Sequence, residues 1–290
     1  MKLCPRCTEG FTSESWRCPA CGWSAHRQRG IVSISGDDMT VEGFDESLFP
    51  LLSDVEQHHF WFAARVKLLE WVLDHYFPTA GSFLEVGAGT GHVARALRRH
   101  RPGMRLSAVE PFRAGLEVAA ARGGGVELIQ ADALQLPYSA EFDVVGAFDV
   151  IEHIEDDQRV LRQMASAVVP GGGVVITVPQ HRFLWGPFDE YAHHCRRYTR
   201  RELVDRLTLA GLNVRRVTSF VSLLLPAMLA SRVHLARRDR QVDPADEFRI
   251  SPVMNRIAAG VMSAERLLIR SGMSWPAGGS LLAVATRPRA

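Results

Sequence analysis

Four cysteines stand within the first 21 residues, as Cys4-Pro-Arg-Cys7 and Cys18-Pro-Ala-Cys21. Two C-x2-C pairs offer four thiolates from two tight turns, the donor set of a tetrahedral zinc. Four sulfurs leave no open coordination position, so a structural zinc is expected; docking of a substrate or partner is the further role open to such a module. A segment this short buries too little apolar surface to fold alone, and the metal would supply most of its folding energy. Cysteines used this way suit a reducing compartment better than a disulfide framework does. The fifth cysteine, Cys195, stands apart.

A second set of candidate residues lies in mid-chain. Glu85-Val-Gly87-Ala88-Gly89-Thr-Gly91 follows an apolar run, and glycines in such a turn let the backbone pass close to a ligand at the next helix N-terminus. The dinucleotide fingerprint G-x-G-x-x-G would need glycine at position 92, where the chain has His92; the spacing is G-x-G-x-G instead. Glu110 comes about twenty residues after the glycines, where a carboxylate can accept from both hydroxyls of a ribose. Asp149, Glu152 and His153, at i, i+3 and i+4, would share one helix face if they open a helix, and a divalent ion could bind there. His153 or His194 could equally act as a general base, because imidazole titrates near neutral pH. In a further alternative Glu152 caps a helix and no active-site metal is involved. His193 and Cys195 read as structural. Arg196, Arg197, Arg200 and Arg201 read by default as a solvated face, with contact to an anionic substrate as the other reading.

These residues need a scaffold, and the apolar pattern supplies one. Residues 48–78 carry apolar side chains at helical spacing and predict one or two amphipathic helices ended by Pro78. Beyond them, β-rich runs at 83–86, 105–109, 126–130, 142–148 and 174–178 alternate with helical stretches near 92–100, 112–122 and 157–168. Alternation of this kind predicts βαβ units and a parallel sheet covered on both faces. Residues 213–218 and 280–286 read as two further strands. The roughly sixty residues between them hold an apolar run at 221–230, a basic stretch at 232–240 and an amphipathic helix at 252–269. Thr199 with Glu202 three residues on is a capping box before another helix.

With the motifs in order, the segment 83–178 resembles class I S-adenosylmethionine (SAM) dependent methyltransferases. Glu85-Val-Gly87-Ala88-Gly89-Thr-Gly91 looks like their first motif and Gln130-Ala-Asp132-Ala133 like their third. Residues 142–153 resemble the fourth, and Pro170-Gly-Gly-Gly173 the turn before the fifth strand. The resemblance implies an α/β fold, a Rossmann-like, seven-stranded, doubly wound sheet with its last strand antiparallel. It implies that Glu85 meets the amino end of SAM through water and that the backbone of Gly87, Ala88, Gly89 and Gly91 contacts its methionine and ribose. By the same likeness Glu110 binds the ribose, Pro111 and Phe112 lie at the adenine, and Asp132 with Ala133 reads the adenine edge. Phe148 and Asp149 complete the cofactor-binding set, and Arg65, in a lid helix, faces the SAM carboxylate; the other reading of Arg65 is a surface arginine beside a packed aromatic core. Ubiquinone-pathway O-methyltransferases and small-RNA 2′-O-methyltransferases hold a metal with an acid-x-x-Glu-His segment and a later histidine. Here Asp149 stands in place of their more usual glutamate. The implied catalytic residues are Glu152, His153 and His194. The reaction implied is in-line attack of an acceptor nucleophile on the SAM methyl, with catalysis resting on alignment and exclusion of water. The segment 3–34 is similar to the zinc finger of certain ribosomal RNA guanine methyltransferases and to the zinc-ribbon activator subunit of tRNA and release-factor methyltransferases.

The expected organisation is a zinc ribbon over 1–35, an acidic linker over 36–47 and a methyltransferase domain over 48–290, with lid helices at 48–78 and a helical insertion at 219–278. The insertion is expected to be a substrate lid, with contact to a membrane surface through 220–270 as the second reading. O-methylation of a hydroxylated small or amphipathic molecule is the expected reaction, and the alternatives are an RNA methyltransferase gripping its substrate through the ribbon and a non-catalytic SAM-binding subunit. Lysine plus arginine number 34 against 32 acids, a formal charge of +2, which gives no overall field to gather nucleic acid. No eroded glycine or lost Glu110 points to a scaffold. The first residues lack an apolar signal core and the longest apolar run, 220–230, is too short to span a bilayer, so a cytoplasmic location is expected.

Overall fold

The computed structural model describes residues 1–13, 15–34, 44–236 and 248–289, with backbone alone over 232–236. Most of the expected linker and the end of the basic stretch lie outside the described residues.

The first strands are short: β1 (Lys2–Leu3) and β2 (Gly10–Phe11) form a hairpin, followed by β3 (His26–Gln28) and β4 (Ile31–Ser33). Helices α1 (Phe49–Val55) and α2 (Phe60–Tyr76) form where the helical spacing predicts them, and α2 stops ahead of Pro78, whose ring cannot continue a helix. The alternating core then runs β5 (Ser82–Val86), α3 (His92–His100), β6 (Arg105–Glu110), α4 (Arg113–Arg122), β7 (Glu127–Gln130), β8 (Phe142–Phe148), α5 (Asp157–Ala167) and β9 (Val168–Pro179). After it come α6 (Pro187–Tyr191), α7 (Arg200–Leu209), β10 (Asn213–Phe220), α8 (Leu225–Ala236), α9 (Pro252–Arg270) and β11 (Ser280–Thr286).

The strand order is β10-β11-β9-β8-β5-β6-β7-β4-β3. Seven of these strands are the expected doubly wound sheet, with β11 antiparallel to both neighbours. The sheet is nonetheless nine-stranded, because the cysteine-rich segment feeds into it. Strand β4 pairs in parallel with β7, Ile31 opposite Leu128 and Val32 opposite Ile129. Ile31 and Val32 have no solvent exposure, so their β-branched side chains are buried on the two faces of the sheet and the open edge of β7 is covered. Trp16, 2% exposed, completes the docking: it meets Tyr138 edge-on at 5.6 Å and donates from Nε1 to Glu127 at 3.0 Å.

One face of the sheet is covered by Leu69 and Val72 of α2, Val93 and Leu97 of α3, Leu116 of α4 and Ile269 of α9. The other is covered by Phe11 and Trp16, by Val160, Leu161 and Met164 of α5, and by Leu203 and Leu207 of α7. The C-terminal ends of β5, β6 and β8 therefore open together between two helical layers, where sheets of this kind bind ligands. Asn255 of α9 caps α2 by accepting from the Phe60 amide at 2.8 Å and donating to the His58 carbonyl at 2.8 Å, which fixes the insertion to α2. Among the described residues no helix is long and apolar enough to cross a membrane.

Candidate active site

Strand β5 ends at Val86, and the chain turns through Gly87, Gly89 and Gly91 with φ of +70°, +51° and +71°. The turn requires glycine at 87: a Cβ there would meet the Val150 side chain at 2.5 Å. Glu110, at the end of β6, accepts from the amides of Gly89 at 2.8 Å and Phe112 at 3.1 Å, so the carboxylate and the glycine turn are locked together. Phe49 of α1 lies over Gly89 and Gly115, and with Phe44 and Phe112 it forms an aromatic layer above the turn. Asp132 caps the 3-10 turn 133–135, its Oδ1 accepting from the Leu134 amide at 2.8 Å, with Ala133 buried behind it.

Three buried carboxyls line this end of the sheet. Burial pushes Glu85 up to about 8 against the opposing pull of Arg65, and pushes Glu110 up to about 7 despite its two amide donors. Glu152 is fully buried with neither carboxyl oxygen hydrogen-bonded, and burial followed by repulsion from Asp149 holds its pKa well above the ordinary value. Burial of this kind favours the protonated carboxyl unless a positive charge lies beside it.

Asp149, Glu152 and His153 do not open a helix. Asp149 adopts φ +58°, residues 151–153 form a single 3-10 turn, and α5 starts only at Asp157, capped by Asp156 accepting from the Arg159 amide at 2.9 Å. Glu152 consequently caps nothing. Asp149 turns away to form an ion pair with Arg65 and accepts from the Thr177 hydroxyl at 3.1 Å. Arg65 is itself buried and stacked 4.5 Å over Trp61, so it belongs to the interior and is not a surface arginine. Phe148 sits beneath, parallel to Phe83.

Glu152, His153 and His194 do converge, each offering a ligand atom within 4.8 Å of the others. The imidazole rings stand edge to face, 4.6 Å apart. His153 donates from Nδ1 to the Ala192 carbonyl at 2.7 Å, and His194 donates from Nδ1 to Asp189 at 2.8 Å. Each acceptor requires a proton on Nδ1, so in the neutral ring Nε2 carries the lone pair. Asp189, not anticipated from the sequence, has no solvent exposure and also accepts from Arg197 at 2.7 and 2.9 Å and from the Gly186 amide at 2.8 Å. Burial opposes its ionisation, but His194 and Arg197 bring it down to about 2. The only signal in the sequence was an acid five residues ahead of a histidine.

The basic cluster is mostly internal, contrary to the default expectation. Arg197 clamps Asp189, Arg196 bonds the Ile154 and Glu155 carbonyls and pairs with Asp157 at 3.0 Å, and Arg200 bonds the Val217 and Trp275 carbonyls. Arg201 alone of the four points outward, 92% exposed. Buried Asp157 also accepts from Tyr198 at 2.6 Å, and these bonds stitch residues 194–200 to the Glu152 turn. His193 and Cys195 are exposed.

In the N-terminal segment the four sulfurs of Cys4, Cys7, Cys18 and Cys21 gather within 4.8 Å, with Cys4–Cys21 and Cys7–Cys18 each 3.6 Å apart. Sulfurs bound at about 2.3 Å to one tetrahedral zinc stand about 3.8 Å apart, so the spacing fits that ion. Burial resists ionisation of Cys4, yet the amides of Cys7 and Arg6 aimed at its sulfur bring its pKa down to about 7.

Residues 55–217 match the methyltransferase domain model, and the chain belongs to that family of class I SAM-dependent enzymes. It is similar to the ajmaline N-methyltransferase of Rauvolfia serpentina, 27% identical over 68% of this chain and 66% of the relative. It is also similar to a ubiquinone biosynthesis O-methyltransferase of Stutzerimonas stutzeri, 28% identical over 37% of this chain and 47% of the relative. The chain thus spans between about half and two thirds of the length of these curated relatives. Among solved structures, a chain of the complex between the Haloferax volcanii Trm112 methyltransferase activator and its methyltransferase superposes with a TM-score of 0.57 at 19% identity, covering 86% of this chain and all of that one, a likeness of fold.

Proposed function

We propose that the chain methylates a hydroxyl oxygen of a small, amphipathic molecule. The observation that carries this reading is the convergence of Glu152, His153 and His194, with both imidazole tautomers fixed and the carboxylate unpartnered. SAM supplies an activated methyl group on a sulfonium centre. The residues that fit it are the glycines of 87–91 for its methionine end, Glu110 for the ribose and Phe112 with Asp132 for the base. The raised pKa values of Glu85 and Glu110 suit a site whose ligand brings positive charge and hydroxyl donors, since either favours the ionised carboxyl.

Glu152, His153 and His194 would hold a divalent cation, which polarises an acceptor hydroxyl when bound. Two imidazoles and one carboxylate are a donor set that such cations accept, and the Ala192 and Asp189 bonds orient the rings as outer partners of ligating histidines commonly do. Without a bound cation, the same Nε2 of His194, clamped through Asp189, would instead take the hydroxyl proton, since its one lone pair cannot serve both roles. Phe44, edge-on to His153 at 5.6 Å, would help exclude water from the reacting end. The four cysteines would hold a structural zinc, and the ribbon's task is then to complete the sheet.

Radiolabelled SAM incubated with total RNA and with an organic extract of hydroxylated lipids and phenols tests the assignment. Label is expected in the organic fraction, with His194→Ala lowering turnover by about 10²–10⁴-fold and chelation of the divalent ion doing likewise. Label in RNA alone, or full turnover by chelated protein, would overturn the acceptor or the metal respectively. SAM binding without any transfer would favour the non-catalytic alternative.

A further inference from the structure

The outward face of α9 is apolar where a helix of a water-soluble surface is usually polar. The helix buries Ala258, Met262, Glu265 and Ile269, and its contact to α2 is on that side. Opposite them, at helical spacing, lie Val253, Ile257, Gly260, Ala264 and Leu267, with Val253 63%, Ile257 54% and Leu267 61% exposed. These side chains point away from the protein, so this face of α9 does not line the acceptor site.

The charges on the helix are one-sided. Arg256, Arg266 and Arg270 run along one border of the stripe, and none is in an ion pair among the described residues. The single acid, Glu265, is buried and accepts from the Ser222 and Leu223 amides at 2.7 and 2.8 Å. An apolar stripe edged by arginines matches the boundary of a lipid leaflet with anionic headgroups. A second copy fits less well: an isologous contact would set this arginine border against itself with no exposed carboxylate on α9 to answer it.

The stripe also begins near the acceptor side of the site. Phe248, just ahead of α9, packs against Phe62 at 6.0 Å and edge-on to Phe188 at 5.1 Å, and Phe188 meets His194 at 6.2 Å. The chain entering α9 is therefore linked to His194 through Phe188.

We propose that the exposed stripe of α9 docks the protein on an anionic lipid surface, so that an amphipathic acceptor presents its hydroxyl to His153 and His194 while its apolar part stays in the leaflet. The second clause rests on the acceptor reading above; the docking itself does not. Flotation with vesicles of phosphatidylcholine alone, and of phosphatidylcholine with an equal part of phosphatidylglycerol, separates the cases. Full-length protein is expected to bind the anionic vesicles on the order of a hundredfold more tightly, from three arginines near a charged surface, and to be released by high salt. The double variant Ile257→Glu/Leu267→Glu should lose vesicle binding while keeping wild-type SAM affinity and circular dichroism. Failure of the wild type to bind, or undiminished binding by the variant, overturns the proposal. So does a concentration-dependent dimer in sedimentation equilibrium that the variant abolishes, which would make a second copy the occupant. Loss of SAM binding in the wild type would instead strike the methyltransferase reading and leave the vesicle result standing.

Discussion

Glu85 and Glu110 are ordinary glutamates in the wrong solvent. Both leave water at strand ends, and burial raises them to about 8 and about 7 from an ordinary value of 4.5. The sign of the resulting pH dependence follows directly. Between 4.5 and the raised values the folded chain holds protons that the unfolded chain has released, so their contribution to stability is present below 4.5 and is lost as pH rises through 7 to 8. Asp189 behaves oppositely: held down to about 2, it contributes above its ordinary value of 3.8 and is lost only as pH falls through 2. Ligand-free protein should therefore show a falling melting temperature from pH of about 5 to about 8, and Glu85→Gln should flatten that fall. A wild-type profile with no slope there would contradict the burial of these carboxyls. Glu85 and Glu110 were legible as candidates because a carboxylate at a fixed distance from a glycine turn is a local pattern. Asp189 was not, since its importance comes from Arg197, Gly186 and His194 closing on it in space.

At the scale of elements, the glycine turn is the least tolerant piece. Gly87→Ala would place a Cβ against Val150 in a left-handed conformation, and urea denaturation should show a loss of roughly 1–3 kcal/mol. Recovery of wild-type stability on shortening Val150 to alanine would identify the collision as part of that cost, and an unaffected single variant would refute it. Strand and helix positions were largely readable: the expected 92–100 and 142–148 coincide with α3 and β8, and the Thr199–Glu202 capping box forms, with the Thr199 amide donating to Glu202 at 2.7 Å. Residues 149–153 were not readable. Their i, i+3, i+4 spacing is helical, but the positive φ at Asp149 and the late start of α5 break the helix before it can form. Periodicity reports where side chains would fall on a helix, and has no information on whether a strand end forces the backbone elsewhere.

For the molecule as a whole, the cysteine-rich segment and the catalytic core share one sheet. Removing the zinc proposed for the four cysteines should consequently be felt beyond the ribbon. A strong chelator is expected to lower the melting temperature of the entire chain and to raise amide hydrogen exchange at 127–130, because β4 covers that edge. Unchanged protection of β7 in chelated protein would show the edge to be held without the metal. The insertion, in turn, ties α9 to α2 through Asn255 and to the chain before α8 through Glu265.

By itself the sequence determined the repeating βαβ order, the glycine turn with its acids, the spacing of the paired cysteines and the family, because each depends on residues close along the chain or on periods of two and 3.6. Only the tertiary structure decided that Asp149 answers Arg65 and leaves Glu152 with the two histidines, that most of the arginine cluster is internal, and that the ribbon lengthens the sheet. Those outcomes join residues tens to more than a hundred positions apart, and they turn on which polar atoms lose water without gaining a partner, a quantity that exists only once the chain has packed.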